Sequence, residues 1–209
     1  NTYNVLRKEM IKEKIKKIID ELLESNLDAL AAQDTPKLKS IGAHAYGSMQ
    51  RDGRPVMMKL RCSKLPDSIV TIGMNAFYYG GPNIKLTKLP DALTSLGSWS
   101  FTRCSGLQIT HFGTSNPNGP LTTILDSTFS MESGTRNGFN PPDNKIYLGE
   151  SIYNVGNEVF KNYGNSALTL VVPYEPEKDK GSPYNNGEGL NTEKTNIGII
   201  KIEMKGAQS

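Results

Sequence analysis

A chain of 209 residues that is 36% hydrophobic and holds 20 glycines suits one elongated domain of thin, turn-rich units better than a single thick core. Its 24 basic and 21 acidic side chains leave a net charge of +3, too little to imply a nucleic-acid-binding or membrane-binding field. Two cysteines, Cys62 and Cys104, cannot build a disulfide framework, and no apolar run approaches the ~18 residues of a membrane span.

The first predicted element is an amphipathic helix over residues 4–31, within an N-terminal segment 1–35. Ile11, Ile15, Ile18, Ile19, Leu22, Leu23, Leu27 and Leu30 recur at three- and four-residue steps and gather on one face. Strict heptad spacing covers Ile11, Ile15, Ile18 and Leu22 alone, short of the ~3–4 heptads of a sustained coiled coil. Lys8, Lys12, Lys14, Lys16 and Lys17 come early and Asp20, Glu21, Glu24 and Asp28 late, against the helix dipole, so packing must hold the helix. Two roles fit it: a cap over the first repeat, or an assembly helix that joins copies or anchors the chain to a larger particle. The first residue is Asn1 rather than Met, which leaves room for a leader or a larger part ahead of it.

A phrase then repeats five times across residues 36–172. It reads Leu38-x-x-Ile41-Gly42-x-x-Ala45-Tyr46, Ile69-x-x-Ile72-Gly73-x-x-Ala76-Phe77 and Leu93-x-x-Leu96-Gly97-x-x-Ser100-Phe101. Looser copies are Leu121-x-x-Ile124-Leu125-x-x-Thr128-Phe129 and Ile152-x-x-Val155-Gly156-x-x-Val159-Phe160. Self-similarity at this spacing predicts a solenoid of stacked turns. The two aliphatic residues and the aromatic are expected to point inward, and the Gly to permit a sharp turn with no Cβ penalty. Strands are expected in the stretches between phrases, at 56–60, 84–86, 107–109, 145–148 and 168–172, forming a parallel sheet along one side. The last segment, 173–209, is a turn-rich loop closed by a strand near Ile197–Ile202.

The phrases at 65–77 and 89–104, with Leu-Pro-Asp ahead of each and Cys104 after the second, resemble the repeat of BspA-like (Treponema-type) leucine-rich repeat proteins. The closing Leu170-Val171-Val172-Pro173-Tyr174 and the Gly-Ser-Pro-Tyr at 181–184 resemble the ending of such arrays in phage and prophage structural proteins. The resemblance covers about residues 36–185. It implies a non-catalytic display scaffold, in bacterial surface adhesins or in virion components, and no fixed set of functional residues.

Catalytic patterns are sparse. His44 and His111 lack metal-ligand spacing, and no phosphate-binding glycine loop or Gly-x-Ser-x-Gly is present. Asp67 and Asp91 follow prolines at matching positions, where Pro-Asp makes a turn. No catalytic residue, cofactor or metal is therefore expected. The column two after the phrase Gly holds His44, Asn75, Trp99, Ser127 and Glu158, too variable for core. Trp99, with Tyr78, Tyr79, Arg103 and Tyr163 just after the aromatic column, is the expected interaction surface, weighed against partial core packing. Cys104 is expected to pack as a small apolar group. Long polar insertions at 112–120, 132–144 and 173–191 make a second exposed surface.

The expectation is an α+β repeat solenoid that binds rather than catalyses. Its expected setting is a virion, as a tail, fibre or head-decoration protein, and the alternative is a bacterial cell surface. Partners would be a protein or glycan on a host surface, other virion proteins, or further copies through Ile11, Ile15, Ile18 and Leu22. Neither nucleic acid nor a membrane span is involved.

Overall fold

The computed structural model describes residues 7–18, 38–47, 60–116, 118–131, 137–141, 143–164, 168–173 and 199–204. Residues 7–18 form helix α1, exposed along its whole length, so in these residues it does not cap the repeats. Leu22 and the other apolar positions beyond Ile18 lie outside the described residues, as do most of the 56–60 stretch and the 174–198 part of the closing segment.

The phrase itself supplies strands: β1 (Ser40–Ile41), β2 (Thr71–Ile72), β3 (Ser95–Leu96), β5 (Thr123–Ile124) and β7 (Asn154–Val155). Each alternates a polar residue with a buried aliphatic one. β1, β2 and β3 pair in parallel with Ile41, Ile72 and Leu96 in register, and β5 pairs with β7 through Ile124 and Val155. The stretches between phrases give a second set, β4 (His111–Phe112), β6 (Lys145–Leu148), β8 (Leu168–Val172) and β9 (Ile199–Met204), in one parallel sheet of order β4-β6-β8-β9. Lys145 on β6 reaches across β8 to Glu203 on β9 at 2.9 Å. The expected strand at 84–86 is reduced to a single bridge from Cys62 to Ile84, and the one at 107–109 falls instead at His111–Phe112. Strands thus form at two places along the array rather than along one side, the second set only from His111 onward, and their apolar side chains share one core.

That core is ordered by rings. Tyr46, Phe77, Phe101, Phe129 and Phe160, the five aromatics of the phrase, stack in a row with centroids 5.3, 5.0, 5.8 and 6.1 Å apart and planes within 21°. Phe112, from the expected 112–120 loop, is buried against Phe129 and Phe160. Asn137, expected in an exposed insertion, is buried too; it donates to the Leu107 carbonyl at 3.2 Å and accepts from the Gly164 N–H. Pro66 and Pro90 make the expected turns, their carbonyls accepting from Ile69 and Leu93.

The phrase glycine has a different role from the one expected. None of Gly42, Gly73, Gly97 and Gly156 has positive φ. A Cβ on Gly97 would instead lie 2.3 Å from the Met74 nitrogen, and one on Gly73 2.4 Å from that of Ala43. The residue must be Gly because successive repeats touch backbone to backbone there. In consequence the N–H groups of Gly73, Gly97 and Gly156 donate to Ile41, Ile72 and Ile124 at 2.8 Å. The fourth phrase has Leu125 in that place, and there the sheet is interrupted: β3 and β5 belong to different sheets.

Ser100 occupies the small-residue column held by Ala76 in the preceding repeat. Its hydroxyl is buried with no hydrogen-bond partner among the described residues. A buried unsatisfied hydroxyl is unfavourable, so Ser100→Ala is expected to raise the free energy of unfolding by about 1 kcal/mol. Chemical denaturation checks this, and a lower midpoint would show that the hydroxyl is satisfied.

Candidate functional surface

After each phrase glycine the chain makes successive tight turns. Ala76, Tyr78 and Gly80 donate back to the carbonyls of Gly73, Asn75 and Phe77, while Asn75, Phe77 and Tyr79 donate onward to Ser98, Ser100 and Thr102 of the next repeat. Every backbone N–H from 75 to 80 is thereby used, which lets irregular chain pack in the interior. The same alternation recurs at 99–104, joining the third repeat to the fourth where the strand rung is missing: Trp99, Phe101 and Arg103 donate to Asp126, Thr128 and Ser130 at 3.1, 3.0 and 2.8 Å.

Such turns need positive φ at every fourth residue. The column two after the glycine provides it in all five repeats: His44, Asn75, Trp99, Ser127 and Glu158, at φ 53–62°. Tyr79, Arg103 and Asn162 repeat it four residues later, at φ 55–62°. The left-handed region disfavours side chains with a Cβ, bulky ones above all, and is held here by the inter-repeat hydrogen bonds. The column varies because it is a backbone position rather than a packing position. It is not uniformly surface either, since Ser127 is buried.

Four of the five expected contact residues come together on this corner. Tyr78 meets Tyr79 with centroids 4.7 Å apart and Trp99 at 6.3 Å, both edge to face. The Arg103 guanidinium lies 4.6 Å over the Tyr79 ring, a cation–π contact. Trp99 is 38% exposed and the other three are half-buried.

The fifth is misplaced. Tyr163 is fully buried, and its hydroxyl both accepts from the Ile109 N–H and donates to the Ile109 carbonyl at 2.9 Å. Burial pushes its phenol far above the usual range, with the Ile109 hydrogen bond acting against it. Tyr163 stands seven residues after its glycine, level with Gly80 and Cys104, one column deeper than Tyr79. Counting from the glycine would have shown this.

Two further residues belong to the corner and were not singled out from sequence. Met74 is 48% and Leu125 42% exposed, and with Trp99 they are the exposed large hydrophobics of the described repeats. The N–H of Asn75, beside Met74, donates to Ser98, and that of Trp99 to Asp126, beside Leu125. The three therefore lie on three consecutive repeats, at the phrase-glycine position or within two residues after it. Leu125 carried a signal, its departure from Gly. Met74 carried none.

Elsewhere the chemistry is structural. His111 stacks on Tyr147 at 4.8 Å beside a shallow cleft of about 280 Å³ lined also by Thr114, Leu148 and Glu150. The Tyr147 hydroxyl donates to Asp143, and that hydrogen bond lowers the carboxyl and raises the phenol from their usual values. Lys88 lies between Asp67 and Asp91 at 2.9 and 3.0 Å, so the two turn carboxylates tolerate each other on adjacent repeats. No group of three metal-ligating side chains occurs among the described residues, and no described helix is long and apolar enough to cross a membrane.

Both cysteines are buried thiols. Burial drives the Cys104 thiol far above its usual range, and its Sγ donates to the Phe77 carbonyl at 3.1 Å. Neither cysteine is therefore expected to react with a thiol reagent at pH 8 until the chain unfolds, when both should. Rapid labelling of the folded chain would place one of them at the surface.

Residues 56–165, more than half of the chain, match the family described as the BspA type leucine rich repeat region, in six copies. The chain belongs to that family. The BspA-type match begins after the first phrase, yet Tyr46 and β1 continue the same ring stack and sheet, so the array extends ahead of it. No curated protein and no solved structure is significantly similar to the chain. BspA-type repeats are binding modules of protein–protein and adhesin-like contacts, which directs attention to the face they present rather than to a cleft.

Proposed function

We propose that the chain is a non-catalytic display protein of a phage virion, a tail, fibre or head-decoration component. Its repeats form a short solenoid over 36–172, the segment 173–209 closes the stack, and the N-terminal segment 1–35 attaches it. The corner formed by Trp99, Tyr78, Tyr79 and Arg103 contacts a protein or glycan on the host, or a neighbouring virion protein. One observation carries the binding role: aromatic and cationic side chains, the residue types of interface hot spots, are grouped where the backbone disfavours bulky residues and where burial gains little. The virion setting rests on the resemblance of the Leu170–Tyr174 ending to arrays in phage structural proteins. A bacterial cell surface would use the same corner as an adhesin face.

Mass spectrometry of purified particles separates the two. Peptides from residues 60–164, in fixed ratio to the major structural proteins, are expected in the particle. Their absence there, with recovery from a cell-envelope fraction, would replace the virion setting by the adhesin one.

A further inference from the structure

The second sheet carries two aromatic rings on its outer face. Ile146, Leu148 and Leu170 turn inward to the core, so Tyr147 and Val171, in register with His111 across β4, β6 and β8, turn outward. The His111 and Tyr147 rings lie 4.8 Å apart and within 10° of parallel, and no third ring joins them among the described residues. The cleft of about 280 Å³ runs from this pair to Val171, Glu150 and Pro173. A smaller depression of about 160 Å³ runs from His111 toward Pro90 and Asp91. His111, Gly113 and Thr114 line both, so the two adjoin at the ring pair. No residue of the Trp99 corner lines either one.

We propose that this face binds an oligosaccharide of neutral sugars, with a sugar ring in the larger depression packed against the His111–Tyr147 pair. The C–H face of a pyranose is apolar and faintly positive, and it suits the negative face of an aromatic ring. Its hydroxyl rim needs uncharged donors and acceptors beside that platform. The His111 Nδ1 is engaged with Thr110, whereas its Nε2 makes no hydrogen bond among the described residues. The Thr114 hydroxyl donates to the Asn116 carbonyl and can still accept, and the Glu150 carboxylate is an acceptor. Charge decides between ligands that could stack there. Lys88, the one Lys or Arg lining either depression, is already held between Asp67 and Asp91. A nucleotide or an acidic glycan would therefore bring its negative charge to Glu150 and Asp91 with no open cation to receive it. An apolar peptide would leave the imidazole and the carboxylate unpaired. The groove is independent of the Trp99 corner and of the virion or cell-surface setting.

Saturation-transfer NMR of the full chain with millimolar maltotriose, cellotriose or triacetylchitotriose tests it. Transfer to the sugar ring protons is expected for at least one of the three, with affinity about tenfold lower in His111→Ala and in Tyr147→Ala. Tyr147→Phe keeps the ring and drops only the hydroxyl that donates to Asp143, so it is expected to bind sugar as the parent chain does. Trp99→Asn is expected to bind sugar unchanged, while both ring variants stay on the native assembly. Absence of transfer from all three sugars would overturn the proposal, as would binding that survives loss of both rings. Adenosine monophosphate binding in preference to every one of the sugars would overturn the ligand class. In each case the particle assay for the repeat corner is unaffected.

Discussion

Replacing Phe101 by alanine is expected to lower the free energy of unfolding by about 4 kcal/mol, the largest effect of any single change in the repeats. Phe101 is fully buried and stacks on Phe77 at 5.0 Å and on Phe129 at 5.8 Å. Each such ring pair adds about 0.5–1.5 kcal/mol to simple burial. Its position matters as much as its contacts. Between the third and fourth repeats the strand rung is lost at Leu125, and the turn hydrogen bonds and the ring row hold the junction. In an array stabilised by nearest neighbours, weakening the weakest interface also divides the whole. Equilibrium denaturation of Phe101→Ala should therefore broaden, with fluorescence of Trp99, whose N–H spans the junction to Asp126, changing before the overall circular dichroism does. Loss of under ~1.5 kcal/mol with a single sharp transition would mean that the ring row is not the spine of the stack.

Trp99→Asn is expected to separate binding from stability. Asparagine enters the left-handed region more readily than tryptophan, a difference of about 1 kcal/mol that offsets the lost edge contact with Tyr78. The free energy of unfolding should stay within about 1 kcal/mol of the parent chain. Retention on the native assembly should fall by tenfold or more, the effect of removing a hot-spot aromatic. Tyr78→Ala and Arg103→Ala should weaken retention less, as flanking contacts. If Trp99→Asn unfolds the chain instead, Trp99 is core, and the expected contact surface loses its centre.

The ring row was legible from the sequence because an inward column admits few residue types; Phe77, Phe101, Phe129 and Phe160 align without any structural knowledge. The strands of the phrase were not, because two residues such as Thr71–Ile72 are too short to show alternation. Their pairing comes from the neighbouring repeat. The glycine was seen, but its reason was not: close approach of Gly97 to Met74 lies between repeats and is invisible within one. The same holds for the variable column, where His44, Asn75, Trp99, Ser127 and Glu158 share a backbone angle and no chemistry. Grouping Tyr163 with Tyr78 and Tyr79 failed because nearness in sequence stood in for phase along the turn. One residue of phase moved it from surface to core.

Hydroxyl-radical footprinting probes the binding corner most directly, since Met, Trp, Tyr and Leu side chains are among those it reads. The free chain is compared with the chain in the native assembly that retains it. Protection of Met74, Tyr78, Trp99 and Leu125 together is the expected result, with Tyr147 serving as a reference away from the corner. Equal reactivity of those four residues in both states, with protection elsewhere on the repeats, would contradict a binding face at this corner.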